Sequence, residues 1–174
     1  KKMTALHDPD ETVLDEELAR AIAPFSKKPG DVTTLRDRLQ DVMWEEVGVM
    51  RDAEGLQRGL KRIAEIDDAL SSVGVAADNL AFNLSWHDWL NLRSLIDMST
   101  VIAKAALSRE NSRGAHFRED FPNAGAMQDS YFTMASGYGD AISVTRAPVQ
   151  FTIVKPGETL LGEDEAETLL GAAQ

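Results

Sequence analysis

The chain has 174 residues, 43% of them hydrophobic, which suits one domain or a domain with an appendage and excludes disorder throughout. A formal net charge of -11 opposes binding to nucleic acid or to anionic membrane surfaces, and no basic stripe offsets it. Cysteine is absent, so disulfides, cysteine-held zinc, iron–sulfur ligation and thiol catalysis by this chain are excluded.

Residues 1–30 read as a lead-in with one short helix and a linker. KKM is followed by TALHDPDE and not by an apolar run, so no secretory leader is expected and a cytoplasmic setting is. Val13, Leu14, Leu18, Ala19 and Ile22 give Glu11 to Ala23 an amphipathic helical pattern, which Pro24 and the SKKPG run end. Residues 31–122 read as an antiparallel three-helix bundle of spectrin-repeat type. Its first helix is expected over Asp31 to Met50, capped by Asp31 or Thr33, with a stripe of Leu35, Leu39, Val42, Met43 and Val47 and with Trp44 flanking it as a core wedge. The second, Ala53 to Val73, is capped by Asp52. Leu56, Leu60, Ile63, Ile66, Leu70 and Val73 form its stripe, and Gly55 and Gly59 allow a neighbouring helix to approach closely.

The third helix organises the rest. It is expected from about Ser85, with Ser85 and Asp88 as a capping pair and Trp86 and Trp89 as wedges at the bundle end. Leu92, Leu95, Ile96, Ser99, Ile102, Ala103 and Ala106 make one face, and Leu90, Met98, Val101 and Ala105 fill much of the rest, so burial on several sides is expected. Arg109 to Gly114 end it, with Asn111 and Gly114 able to take left-handed geometry. Residues 123–156 read as a loop and a β-hairpin, with strands at Tyr131 to Ala135 and Ala141 to Ala147 around Gly137-Tyr138-Gly139-Asp140 and an extended continuation over Val149 to Val154. Residues 157–174 form an acidic tail expected to fray or to make a weak terminal helix.

Cofactor chemistry finds little support. Neither G-x-G-x-x-G after a strand nor G-x-x-x-x-G-K occurs, and Gly137 and Gly139 belong to the hairpin turn. His7, His87 and His116 lack metal-ligand spacing, and Ser112, His116 and Asp120 form a triad only on paper, since the serine sits on no nucleophile elbow. What remains is Ser112-Arg113-Gly114-Ala115-His116-Phe117-Arg118-Glu119-Asp120-Phe121-Pro122. Its arginines either pair with neighbouring acids and backbone carbonyls, or form a preorganised docking face or anion site. Phe117 and Phe121 in so charged a loop favour a contact surface.

The stretch NLRSLIDMSTVIAKAALSRENSRGAHFREDFP resembles the C-terminal region of the flavoprotein subunit of succinate dehydrogenase and fumarate reductase, a region that L-aspartate oxidase shares. Ala106, Leu107, Arg109, Ser112, Arg113, Gly114, Ala115, His116, Arg118, Asp120, Phe121 and Pro122 stand in register with the family's motif. Asn111 departs from it, where the family carries Glu. Leu35, Leu39, Met43, Trp44, Val47, Gly48, Arg51 and Leu56 fit the family's first bundle helix and turn, and the resemblance runs from about Leu35 to Pro156. It implies a helical domain packed on FAD-binding and capping domains, with FAD in the parent protein and no cofactor in this chain. Alongside those domains it implies an iron–sulfur subunit as partner, and peripheral attachment at the inner face of the cell membrane through the complex. No catalytic, cofactor-binding or metal residue carries over, and the isolated chain is expected to be inactive. Ala115, where the aspartate oxidase branch has Leu, favours the succinate dehydrogenase or fumarate reductase branch. The expected docking residues are Arg109, Arg113, His116, Phe117, Arg118, Glu119 and Asp120. A stand-alone helical interaction module, and a small enzyme using His116 and Asp120, remain as rival classes.

Overall fold

The computed structural model of the protein describes residues 10–137 and 141–158. The lead-in before Asp10, the tip of the hairpin turn and the acidic tail from Thr159 lie outside them. The fold is mainly α, as expected. Helix α1 spans Glu11–Ile22 and runs into a 3-10 turn, Ala23–Ser26. Helix α2 spans Val32–Glu45, α3 Ala53–Ser72 and α4 Leu84–Ser108. Two-residue strands β1, Met50–Arg51, and β2, Phe117–Arg118, pair in parallel, and β3, Tyr131–Ser136, pairs antiparallel with β4, Ser143–Pro148.

The core is built from the stripes that the helical period marks out. Leu35, Leu39 and Val42 of α2, Leu56, Ile63, Ile66 and Leu70 of α3, and Trp89, Leu92, Ile96, Ala103 and Ala106 of α4 form one buried cluster. Asp67 meets Arg93, while Leu60 and Lys104 share the same groove further along, so α3 and α4 run antiparallel. Glu45 and Glu46 meet Arg62 and Arg58 at one end of the α2–α3 pair, and Gly30 meets Val73 at the other. These contacts are compatible with the expected bundle. Gly59 is a point of close approach: a Cβ there would lie 3.1 Å from Glu46 Cβ and 3.2 Å from Val47 Cγ2. The neighbour is the turn closing α2, not a helix face.

Several expectations are corrected. Helix α2 ends at Glu45, five residues early, because Met50 is drawn into the pairing with Phe117. Trp44 is no wedge; it is 83% exposed. The SKKPG stretch is no free linker: Val75 N–H donates to Pro24 O, Gly74 N–H to Lys28 O, and the Lys27 ammonium to Ser71 O. The apolar stripe of α1 is uncovered, with Val13, Leu14, Leu18 and Ile22 all exposed. Burial of α4 on several sides also fails: Trp89, Leu92, Ile96, Ser99, Ala103 and Ala106 are inside, whereas Leu95, Met98 and Ile102 stand on an open side. The stretch from Val149 to Val154 forms no strand, although Val149 N–H adds one bond, to Ser130 O, at the end of the hairpin.

The start of α4 is corrected as well. Its cap is Asn83, not Ser85: the Asn83 amide oxygen accepts from Trp86 N–H, and its NH₂ donates to Ala77 O and Asn79 O. Asn83 is 3% exposed, so it ties the preceding loop to the helix from inside. The tryptophans expected as wedges are in place, with indole N–H groups donating to Ala21 O from Trp86 and to Val73 O from Trp89. Asn83→Ala is expected to lower stability by about 2 kcal/mol, the upper range for a lost cap, while Ser85→Ala changes it by less than about 0.5 kcal/mol. Paired urea titrations of the two variants check this.

The hairpin lies along the second half of α4. The Lys104 ammonium donates to Ile142 O, and Ile142 is buried. Arg146 reaches Ser108 O and Glu110, with its guanidinium 4.7 Å from the centroid of the Tyr131 ring.

Candidate functional site

The charged segment after α4 folds around one buried arginine. Helix α4 leaves its last carbonyls without intrahelical partners. Left-handed termination does not answer this: Arg109, the C-cap, is extended, and of the two candidates only Gly114 has positive φ, +58°. The guanidinium of Arg118 answers it instead. Its Nη1 donates to the carbonyls of Ala106, Leu107 and Arg109 at 2.9, 3.1 and 3.1 Å. Its Nε and Nη2 donate side by side to the two carboxylate oxygens of Asp120, each at 2.7 Å. Asp120 Oδ2 also accepts from Ala53 N–H, the first residue of α3. Arg118 and Asp120 therefore join the negative end of one helix to the positive end of another, the orientation that both helix dipoles favour. Arg118 is 1% exposed, so the structure places it inside the fold.

The backbone around it is tied down in turn. The Ser112 hydroxyl accepts from Arg118 N–H and donates to Phe121 O. Glu119 N–H donates to Arg51 O at 2.7 Å, extending the β1–β2 pairing by one bond. The Arg113 guanidinium donates to the carbonyls of Ala124 and Ala126 and to Ser130 Oγ, fixing the loop that leads into the hairpin. The Phe121 ring lies under Arg118, 5.0 Å from its Cζ, and Phe117 and Phe121 remain 38% and 37% exposed.

His116 stands between Arg51 and the backbone of Arg109. A guanidinium only donates, so His116 Nδ1 accepts from Arg51 Nη1 at 2.9 Å; Nε2 faces Arg109 O at 3.3 Å and carries the ring proton. Burial is the chief cause that holds its pKa below the ordinary imidazole value, with the charges of Arg109, Arg51 and Arg118 adding to it against the opposing bond to Arg109 O. A ring that resists protonation when folded stabilises the fold above the unfolded imidazole range, and that contribution is lost as pH falls through the folded pKa. Urea unfolding of wild type is expected to weaken between about pH 7 and pH 5, with a shallower dependence for His116→Gln. Asp120 is also held below the usual carboxylate range, chiefly by its bonds from Arg118, so its contribution disappears only at more acid pH.

The segment thus gathers Arg109, Arg113, His116, Arg118 and Asp120 into one bonded unit and leaves Phe117, Glu119 and Phe121 on its outer side. Ser112 and His116 serve backbone and arginine partners, so the triad drawn from Ser112, His116 and Asp120 does not assemble. Among the described residues no group of three or more His, Asp or Glu side chains could hold a metal, and no helix is long and apolar enough to cross a membrane. Arg51 escapes sequence reasoning as a member of this unit, since only the β1–β2 pairing brings it to His116. Its placement directly before the Asp52 cap was the available signal.

The fold and this segment have known counterparts. The family described as "Fumarate reductase flavoprotein C-term" matches residues 36–160. The chain is 32% identical over 124 residues to an FAD-dependent oxidoreductase of Methanocaldococcus jannaschii, covering 70% of this chain and 22% of that protein. It is 38% identical over 86 residues to L-aspartate oxidase 1 of Ralstonia nicotianae, covering 49% and 15%. Among solved structures, the Mycobacterium smegmatis Sdh1 complex in the apo form superposes with a TM-score of 0.72 at 30% identity, covering 94% of this chain and 29% of that one. The chain spans about a quarter or less of the length of the curated relatives it matches. The Arg118–Asp120 unit lies within the matched residues, and the chain belongs to the family of C-terminal domains of succinate dehydrogenase and fumarate reductase flavoprotein subunits.

Proposed function

We propose that this chain is the C-terminal helical part of a longer FAD-dependent oxidoreductase that interconverts succinate and fumarate, or a close dicarboxylate pair. Its own role is to brace the flavin-bearing part and to offer a docking face. The observation that carries this reading is the open side of α4. A helix apolar nearly all round belongs in a covered position, yet Leu95, Met98 and Ile102 are 47%, 56% and 44% exposed here. The apolar stripe of α1 is open in the same way. The division of the chain follows the same logic: residues 1–30 lead in from the flavin-bearing part, 31–122 form the brace, 123–156 lie on it, and 157–174 form a tail. FAD and the substrate groups sit in the earlier domains, and this chain supplies no catalytic group. An iron–sulfur subunit is the electron-transfer partner, and the assembly sits peripherally on the inner face of the cell membrane.

The test compares the isolated chain with the full-length polypeptide. The isolated chain is expected to show no flavin absorbance and no succinate-dependent dye reduction, while the full-length protein shows both. A flavin band or turnover in the isolated chain, or a full-length protein without flavin, refutes the reading. A second reading, the equivalent part of an L-aspartate oxidase, is favoured by the 38% identity over 86 residues and opposed by Ala115. Turnover of L-aspartate by the full-length protein in place of succinate would select it.

A further inference from the structure

The cations around β1 and β2 are used unequally. Arg118 is paired with Asp120, and Arg113 is held by two carbonyls and a hydroxyl. Arg51 and Arg109 differ. Among the described residues neither is ion-paired with a carboxylate. The Arg51 side chain is half-buried, and among the described residues it bonds the carbonyls of Val47 and Gly48 and the His116 ring. Arg109 reaches Asn111 Oδ1 at 3.4 Å, a long contact. Both arginines lie close enough to the His116 ring for their charges to oppose its protonation, so two partly buried positive charges share one place without a paired carboxylate. Burial also lowers the pKa of Arg51.

The surface beside this group is largely apolar and open. Trp44, Glu45, Val47, Gly48, Val49, Met50 and Arg51 line a hollow of about 380 Å³, and the Glu45 carboxylate there is paired with Arg62. Trp44, Val49 and Met50 are 83%, 73% and 65% exposed, and the parallel register sets Phe117 beside Met50. An apolar rim around a cationic centre is complementary to an apolar surface that presents one carboxylate, because the rim excludes water from the ion pair. A small free anion would leave that rim wet. A second copy related by a two-fold axis through this patch would set the cations against themselves. The remaining occupant is the part of the polypeptide outside this chain, which in the curated relatives makes up about three quarters or more of the length.

We infer that Arg51 and Arg109, rimmed by Trp44, Val49, Met50 and Phe117, seat an aspartate or glutamate side chain presented by the flavin-bearing part of the same polypeptide. This rests on the function proposed above and specifies where the brace is keyed to its load. The test uses Arg109→Gln, since among the described residues the Arg109 side chain makes one long hydrogen bond, and Met50→Gln on the rim. In the full-length flavoprotein, thermolysin is expected to release the C-terminal part about tenfold faster in Arg109→Gln, and Arg109→Glu is expected to be worse than Arg109→Gln. Met50→Gln should accelerate release in the same direction. In the isolated chain the thermal midpoints of Arg109→Gln and wild type are expected to coincide within about 2 °C. Equal destabilisation of both forms makes the cluster an internal brace and overturns the inference. So does unchanged release from a full-length protein that retains flavin, an outcome that leaves the proposed function standing. Titrating succinate and inorganic phosphate into the isolated chain adds the last arm: saturable binding abolished by Arg109→Gln assigns the cluster to a free anion and overturns the inference too.

Discussion

Replacing Arg118 by alanine is expected to destabilise the chain by about 3–5 kcal/mol, enough to unfold a domain of ordinary stability at moderate temperature. One guanidinium holds five bonds, three to the carbonyls ending α4 and two to Asp120. Without it the helix end loses its partners in a place where the arginine itself is 1% exposed, and Asp120 keeps a negative charge beside the start of α3 with its counter-ion gone. Arg118→Lys is expected to recover less than half of the loss. An ammonium can face the carbonyls or the carboxylate, but it lacks the planar fork that reaches both at once. Asp120→Asn removes the paired charge while keeping an acceptor for Ala53 N–H, and should cost less than Arg118→Ala. Denaturant unfolding of the three variants orders them, and an Arg118→Ala midpoint close to wild type would refute the account of the latch.

Gly74→Ala is expected to cost about 3 kcal/mol, the upper range for overpacking, because the obstruction is backbone. An added Cβ would lie 2.2 Å from Lys27 O, 2.6 Å from Lys27 C and 2.6 Å from Pro24 O. Neither the main chain after α1 nor the one after α3 can yield without breaking the bonds that join them: Gly74 N–H to Lys28 O and Val75 N–H to Pro24 O. The outcome should be local. The segment from Pro24 to Gly30 peels away, while the cluster among α2, α3 and α4 survives. Trp86, whose indole packs against Phe25 with ring centroids 5.3 Å apart and bonds Ala21 O, should report the change as altered fluorescence. Hydrogen exchange is expected to show protection lost at Gly74 and Val75 and kept at Ile63 and Leu70. Uniform loss across the core would contradict this separation.

How much could be read from residues alone follows from which interactions are local. The stripes of α2, α3 and α4 have helical period, and they predicted most of the buried cluster and the Asp52 cap. The hairpin was legible for the same reason, since its strands are neighbours in sequence. What escaped depends on partners far along the chain. Pairing of Met50 with Phe117 shortens α2 and could not be seen in either pair of residues alone. Asn83 outcompetes Ser85 as a cap because its amide also serves Ala77 and Asn79, so it answers three backbone groups where a serine hydroxyl answers fewer. At the charged segment, composition showed the arginines and acids together but not their direction. Arg118 turns inward, and Arg51, which joins the unit from outside the motif, has no paired acid among the described residues. Trp44 was misread because an aromatic beside a stripe has the same pattern whether the core or an outside partner covers it.

The way α4 is terminated also bears on how this region can change length. Its end is recognised by a side chain arriving from ten or so residues later, and each inserted residue would rotate the terminal carbonyls by roughly 100° about the helix axis. Insertions or deletions between Trp89 and Asp120 should therefore be rare among related chains, or come as near-complete turns. The stretch from Ala76 to Phe82 carries no such phase requirement, and Phe82 there is 99% exposed. Length variation among homologues is expected to collect in that connection, upstream of a helix whose far end is gauged by Arg118.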